Sequence, residues 1–296
     1  MSDGKTIEGA VRAFFDEATS SYTYVLHSGG EAAIIDPVLG FDPVSGVFDT
    51  ERADEVIGYI VKRGLNLRWI LETHVHADHL SAARYVKGKL GGDCCISSNI
   101  PVVQKAFHDV FAFSDTVLMD GSQFDHLLEP GERLPLGDEC IEVLATPGHT
   151  PACMTYVFRD GAFVGDTIFM PDNGTARTDF PGGDAQQLYR SIHKIFALGG
   201  DTKILVCHDY LTAQRTDYRY QITVEEQRID NTQIHAGIRE SDYVRMRQSR
   251  DKTLRLPKLF YPSVQFNLVG GHFDAMALNG RYFLRTPVNA PDLLAS

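Results

Sequence analysis

Short apolar runs alternate with amphipathic segments along the first half of the chain. SYTYVLHS and EAAIIDPV are strand-like runs, and Gly29-Gly30 between them indicates a hairpin. ERADEVIGYIVKRG has apolar residues at helical spacing and ends at Gly64, which predicts a helix with a glycine stop. LRWILE predicts a buried strand, and LSAARYVKGKLGG then returns to helical spacing.

A second group of strands is predicted from about residue 138. ECIEVLATPGHT, CMTYVFRD and GAFVGDTIF have strand patterns, DAQQLYRSIHKIFAL has a helical one, and KILVCHDY predicts a further strand. The tail is charged and helical in VEEQRIDNTQIHAG and SDYVRMRQSRDK, then extended in LRLPKLFYPSVQFNLVGG. Two groups of strands with helices between them predict a layered α/β sandwich. We expect a catalytic domain over 1–221 and a C-terminal helical and extended lobe over 222–296, packed on it.

Composition and charge narrow the class of protein. The chain has 296 residues, of which 43% are hydrophobic and 23% charged, as in a soluble globular protein. Its net charge of −11 argues against binding to nucleic acid or to an acidic membrane surface. The segment MSDGKTIEGAV has no secretory pattern, and no apolar run approaches the ~20 residues of a membrane span. We therefore expect a cytoplasmic protein that captures any acidic ligand in a local basic pocket.

Metal-ligand residues collect where predicted strands end. They occur in THVHADH, TPGHT, FVGDT and LVCHDY, and in TPGHT the turn at Pro147-Gly148 can present the ring. The candidates are His74, His76, Asp78, His79, His149, Asp166 and His208. Imidazole and carboxylate ligands without thiolate suit Zn, Fe, Mn or Ni. The five cysteines are expected to be buried, inert thiols. The spacing allows one metal or two neighbouring metals.

In this order, THVHADH, TPGHT, FVGDT and CHDY resemble the metallo-β-lactamase superfamily over roughly residues 10–220. The resemblance implies an α/β fold, an αββα four-layer sandwich with metal at one edge, followed here by a C-terminal extension. HADHLSAA, GHTPACMTYV and ARTDF resemble the persulfide dioxygenase (sulfur dioxygenase) family within it. Glyoxalase II enzymes instead carry R/K-x-F/Y-E-G where this chain has RTDFP. RDKTLRLPKLFYPSVQFNLVGG is similar to the extended C-terminal region of a bacterial branch of the dioxygenases.

The persulfide dioxygenase resemblance implies one Fe(II) per chain, held by His74, His149 and Asp166. The implied reaction is oxidation of glutathione persulfide by O2 to sulfite and glutathione, a step of sulfide detoxification. The remaining ligand-type residues would then orient ligands or shape the pocket: His76, Asp78, His79 and His208. In the alternative, a glyoxalase II-like thioester hydrolase, these residues complete a second metal site. A metal-binding sensor without turnover is a third hypothesis, against which the intact ligand set argues.

A glutathione-type substrate needs local cations in a protein of this charge. Four residues are expected to contact it: Arg177, Tyr210, Arg250 and Lys252. The alternative for Arg177 is a loop salt bridge with Asp179 or Asp172. The alternative for the basic cluster that includes Arg245 and Arg247 is a solvated helical face, balanced by neighbouring acidic residues. YPSVQFNLVGG could pack on its own domain or form the interface of a homodimer.

Overall fold

Two six-stranded mixed sheets form the centre of the molecule, seen in a computed structural model that describes residues 6–114, 117–213, 215–273 and 277–288. In spatial order the first sheet contains β1 (Val11–Asp16), β2 (Ser21–Ser28), β3 (Glu31–Ile35), β6 (Asn66–Leu71), β8 (Asp93–Ser97) and β9 (His126–Leu128). The second sheet contains β10 (Arg133–Leu136), β11 (Glu139–Ala145), β12 (Met154–Phe158), β13 (Gly161–Phe163), β14 (Lys203–Leu205) and β15 (Gln221–Thr223).

Helices and short strands surround these sheets. The helices are α1 (Glu51–Lys62), α2 (Ala83–Leu90), α3 (Ile100–Phe111), α4 (Ala185–Phe196), α5 (Val224–Asp230), α6 (Glu240–Asp251) and α7 (Phe260–Leu268). The short strands are β4 (Val38–Asp42), β5 (Val47–Asp49), β7 (Leu80–Ser81), β16 (Ala277–Leu278) and β17 (Arg281–Tyr282). Strands β3, β6, β8 and β9 are parallel neighbours, so α1, α2 and α3 serve as their crossover connections.

Three buried clusters hold four layers together. Between the sheets, Tyr24 of β2 packs with residues such as Phe163 of β13. Outside the first sheet, α1, α2, α3 and α7 bury apolar residues that include Val56. Outside the second sheet, α4, α5 and α6 do the same with residues such as Leu188 and Tyr243. Helix, sheet, sheet, helix is the predicted αββα sandwich, and this prediction is confirmed.

The C-terminal segment contributes to both outer layers. Helix α6 packs on the second sheet's side and α7 on the first sheet's side. The predicted domain boundary at 221/222 falls inside β15, and the division into two domains stays a prediction. YPSVQFNLVGG was expected either to pack on its own domain or to form a homodimer interface. Most of this segment lies in α7, which is buried against its own chain. Within the described residues, no helix is long and apolar enough to cross a membrane.

The extended conformation predicted for residues 260–268 is wrong, because they form α7. Pro262 is what made the segment look extended, since proline breaks helices in their interior. Here it is the third helical residue, in the first turn, where the N–H it lacks has no helical partner to lose. Burial of residues such as Val264 and Phe266 then stabilises the helix.

Candidate metal centre

Two imidazoles and a carboxylate meet where β6, β11 and β13 end. His74 follows β6, His149 lies in the turn after β11, and Asp166 follows β13. His74 Nε2 is 3.8 Å and His149 Nε2 is 3.9 Å from Asp166 Oδ2. All three side chains are buried. They therefore converge closely enough to bind one metal ion.

Hydrogen bonds on the far side of each ring fix its orientation. His149 Nδ1 donates to the carbonyl oxygen of Arg177 over 2.8 Å, which leaves Nε2 facing Asp166. His74 Nδ1 lies 3.0 Å from Thr73 Oγ1, and the Thr73 hydroxyl donates to Asp36. The hydroxyl can therefore accept from His74 only through Nδ1–H, which again leaves Nε2 for a ligand. Such outer hydrogen bonds orient metal-binding histidines and raise their basicity.

The turn that presents His149 requires a glycine. Gly148 has a φ of +143°, a backbone conformation that is strained for other residues. A Cβ there would lie 2.3 Å from the backbone nitrogen of Leu188 in α4. The Gly148 carbonyl also accepts from Asp184 N, and that of Pro147 from Ser191. The Pro147-Gly148 pair, which was predicted to present the His149 ring, therefore packs against the first turns of α4.

A second set of ligand-type atoms adjoins the first. His208 Nε2 is 3.3 Å from Asp78 Oδ2 and 3.4 Å from Asp166 Oδ1. The ring of His79 lies 5.8 Å from that of His208, centre to centre. Asp166 thus directs one oxygen towards each set, as a carboxylate shared by two metals would. The geometry, like the spacing, accommodates one metal or two.

His76 directs one ring nitrogen towards carboxylates. Its Nε2 is 3.0 Å from Asp36 Oδ1 and 3.5 Å from Glu72 Oε2. Burial would lower the pKa of His76, but these two carboxylates raise it well above its ordinary value. Neither partner was predicted, because Asp36 lies 40 positions before His76 and Glu72 resembles a strand end. The other nitrogen, Nδ1, is buried without a hydrogen-bond partner, so His76 could bind a metal through Nδ1 once it loses its second proton.

The other imidazoles of the loop are neutral. Burial, with the surrounding imidazoles, lowers the pKa of His74 well below its ordinary value. Burial likewise lowers the pKa of His79 to about 3. Neutral imidazole is the form that binds a metal. Among the buried side-chain atoms without a hydrogen-bond partner are His74 Nε2, His79 Nε2, His208 Nε2 and Asp166 Oδ1. Coordination would satisfy all of these atoms, so the donor set fits a metal.

The thiols beside the centre are protonated near neutral pH. Burial raises the pKa of Cys153 to about 12 and that of Cys207 well above its ordinary value. Cys207 lies near His76, His79 and His208, and its Sγ is 3.7 Å from Asp36 Oδ2. Four cysteines are buried, as expected, whereas Cys140 is half-buried and accepts hydrogen bonds from Arg133.

A cavity of about 730 Å³ opens onto the candidate centre. Its walls include Asp78, His149 and Asp166 together with three predicted substrate contacts, Arg177, Tyr210 and Arg250. The ring of Tyr210 stacks on that of His208 at 5.3 Å between centres. Lys252 is exposed and is not among the residues that line the cavity, and its contact with the substrate stays a prediction.

Arg177, at the cavity wall, makes hydrogen bonds within the protein. Its Nε and Nη2 donate to the two carboxylate oxygens of Asp179 over 2.6 and 2.8 Å, as one sequence interpretation expected. Its Nη1 donates to the Arg255 carbonyl, and its guanidinium lies over the Phe180 ring. A bidentate pair holds a planar cation in one geometry. Arg177 therefore presents a fixed edge to the cavity.

The solvated helical face predicted around residues 245–252 is wrong at Arg247. That side chain is only 1% exposed and pairs with Asp251 over 2.6 Å. Its Nη1 donates to the Thr175 carbonyl, while Asp251 accepts from the Thr178 N–H. The pair thus binds the loop that carries Arg177. Burial of the pair depends on a loop about 70 residues earlier, which helical spacing alone does not reveal.

Comparison with known proteins places this geometry in a family. The sequence matches the metallo-beta-lactamase superfamily over residues 16–208. It is 46% identical to a probable metallo-hydrolase of Burkholderia pseudomallei, over 96% of this chain and 99% of the relative. A beta-lactamase hydrolase-like protein of Agrobacterium fabrum is 45% identical over 94% of this chain, which spans 64% of that relative's length.

Persulfide dioxygenases are among the related proteins. The mitochondrial persulfide dioxygenase ETHE1 of Homo sapiens is 32% identical over 78% of each chain. The crystal structure of ETHE1 from Myxococcus xanthus superposes with a TM-score of 0.70 at 27% identity, covering 88% of this chain and 99% of that one. The chain therefore belongs to the metallo-β-lactamase superfamily, with ETHE1 persulfide dioxygenases among its homologues.

Proposed function

We propose that this protein is an Fe(II)-dependent persulfide dioxygenase that oxidises glutathione persulfide to sulfite and glutathione. The observation that carries the proposal is the convergence of His74, His149 and Asp166, whose ligand atoms lie close enough to bind one metal ion. These side chains form a two-histidine, one-carboxylate set. That set is typical of non-haem Fe(II) oxygenases, because it leaves coordination positions open. The persulfide dioxygenase homologues support the same reaction.

Iron held by His74, His149 and Asp166 would supply open coordination positions and the redox chemistry by which O2 oxidises a persulfide sulfur. The overall reaction consumes one persulfide, one O2 and one water, and forms one thiol and one sulfite with its protons. The protein's part is to direct the Nε2 atoms of His74 and His149 towards Asp166, through hydrogen bonds from their Nδ1 atoms to Thr73 and to the Arg177 carbonyl.

The cavity offers charges and apolar walls suited to a glutathione moiety. Arg250 is exposed at the cavity and has room to bind a carboxylate. Tyr210 presents its ring at the cavity beside His208, and Arg177 presents a guanidinium edge. Phe180 and Leu254 add apolar surface. In a protein of net charge −11, these cations are the local attraction for a dianionic peptide.

A glyoxalase II-like thioester hydrolase is the second candidate function. The observation that favours it is the complete second set around His208, with Asp166 directed towards both sets. Two metals held in this way would activate water for attack on a thioester carbonyl. The name of the Burkholderia relative, a probable metallo-hydrolase, is compatible with it. Under this hypothesis His76 would keep Nε2 on its carboxylate partners and bind the first metal through Nδ1.

Oxygen uptake is the experiment that decides between the two functions. Anaerobically purified protein, with its iron and zinc counted, is mixed with glutathione persulfide and O2. The proposal expects uptake of about one O2 per sulfite formed, with about one iron per chain. Two bound metals, no oxygen uptake and hydrolysis of a glutathione thioester would overturn it in favour of the hydrolase. Binding of persulfide without any turnover would instead indicate the sensor.

Location and assembly complete the proposal. We expect a cytoplasmic protein, with no nucleic-acid or membrane partner, on the grounds of charge and composition alone.

A homodimer stays a prediction. The segment first considered for its interface, α7, packs inside its own chain. Analytical ultracentrifugation of the iron-loaded protein tests it directly. A single species at the mass of one 32.9 kDa chain would rule the dimer out.

A further inference from the structure

The metal loop between β6 and β7 has no regular secondary structure to satisfy its backbone. Residues 72–79 connect the two strands and carry four of the seven candidate ligands. The loop is almost entirely buried. Buried carbonyl groups need hydrogen-bond donors, because burial of an unpaired one destabilises the folded chain. The partners that fix this loop therefore also fix where its ligands lie.

One side chain from α7 donates to two of these carbonyls and accepts from one N–H group just after the loop. Asn267 Nδ2 donates to the carbonyl oxygens of His76 and His79, both over 2.9 Å. Asn267 Oδ1 accepts from the N–H of Ser81 over 2.8 Å. The side chain is only 6% exposed. An amide flipped end for end would place its oxygen against two carbonyls, so the network itself fixes the orientation.

We propose that Asn267 is a positioning residue of the metal centre, which holds the loop carrying Asp78 and His79 in its ligand-presenting form. Both clamped carbonyls flank these two ligands along the chain, at His76 and His79. Asn267 lies beyond residue 208, where the superfamily match ends. The C-terminal segment is thus part of the metal centre's support. The proposal rests on the metal site and not on which reaction that site catalyses.

The same helix offers a matched control. Gln265 is 2% exposed, and its Nε2 donates to the carbonyls of Tyr261 and Arg285. Its Oε1 accepts from the Arg285 N–H. It therefore makes the same three kinds of hydrogen bond as Asn267, none of them to the metal loop. Asn267→Asp and Gln265→Glu both turn a buried donor into a carboxylate that faces two carbonyl oxygens.

Metal release distinguishes positioning from a general structural role. Each protein is loaded with Co(II), and the visible absorption is followed after addition of excess EDTA. Asn267→Asp should release Co(II) about 10–100-fold faster than wild type, the usual cost of losing a group that supports metal ligands. Gln265→Glu should release it at the wild-type rate, although both variants should lower the melting temperature of the metal-free protein. Equal release from both variants, or wild-type release from Asn267→Asp, would overturn the proposal.

Two further measurements test the proposal if Asn267→Asp does not fold. Asn267→Ala removes the same hydrogen bonds without a buried charge, and should also speed Co(II) release. Hydrogen exchange of the wild type needs no variant: Co(II) loading should slow exchange at the Ser81 amide and in α7, which the metal does not touch. Slowing confined to residues 72–79 would contradict the proposal. None of these measurements depends on turnover. They therefore test the role of Asn267 whether or not the dioxygenase assay succeeds.

Discussion

Asp166 directs one carboxylate oxygen towards each set of ligand-type atoms. Asp166→Ala should therefore abolish iron binding and oxygen uptake together. Asp172→Asn is the matched control, because Asp172 lines the same cavity but pairs with Arg215 instead of facing the imidazoles. Iron counts and oxygen uptake on both variants test this. Full iron and full activity in Asp166→Ala would remove this carboxylate from the metal.

Arg250 and Lys252 lie two positions apart, but only Arg250 lines the cavity. Arg250→Ala should raise the KM for glutathione persulfide about fivefold, since an exposed ion pair contributes about 1 kcal/mol. The kcat should hardly change, because this contact is the same in the bound and reacting states. Lys252→Ala should leave both constants unchanged. An equal effect of the two substitutions would place substrate recognition in the general charge of this segment.

Local motifs predicted the candidate metal ligands but not the residues that hold these ligands in place. The dense THVHADH pattern and the Pro147-Gly148 turn were sufficient to propose which side chains meet. Asp36, Glu72 and Asn267 were missed, because what they do depends on contacts that no residue spacing encodes. Asn267 lies 191 positions from the carbonyl of His76 that it binds. Only the folded chain reveals such partners.

Helix α4 stabilises the turn of His149 and depends on its own N-cap. Asp184 accepts from the N–H groups of Gln186 and Gln187, which lowers the pKa of its carboxyl. Asp184→Ala should lower the free energy of unfolding by about 1 kcal/mol at pH 7. Because the folded pKa is depressed, the part of this difference that depends on the charge should persist above the ordinary value of 3.8 and be lost as pH falls through the lower folded value.

Urea denaturation of the metal-free protein between pH 7 and about pH 3 checks this difference, in the range where an aspartate titrates. Asp184→Asn keeps the capping oxygen without the charge, so it should retain most of the stability. A difference that grew on acidification would contradict the assignment.

At the scale of elements, the sequence predicted helices with an apolar stripe, such as α1 and α4. It made no prediction for α3, although this helix also buries one face. It was wrong at α7, which is buried nearly all round and therefore has no stripe.

At the scale of the whole molecule, truncation of the chain tests the predicted domain boundary at 221/222. A chain that ends at residue 221 loses the buried apolar side chains of α5, α6 and α7 from both outer layers, such as Tyr243 and Phe266. Each contributes about 1.5–3 kcal/mol, and several together exceed the 5–15 kcal/mol of a typical fold. The truncated chain should therefore be insoluble or unfold without a cooperative transition in circular dichroism. A soluble fragment with a sharp melting transition would establish 1–221 as an independent domain.

The long separation between Asn267 and the loop it clamps has a consequence for biosynthesis. Translation of the 191 residues between His76 and Asn267, at about 5–20 residues per second, takes on the order of 10–40 s. Throughout that time the histidines of the nascent chain lack the amide that holds their loop. We therefore expect stable acquisition of the metal only after Asn267 has been synthesised. The supply of metal to finished chains, more than its presence during synthesis, should then set how much metal-loaded protein a cell obtains.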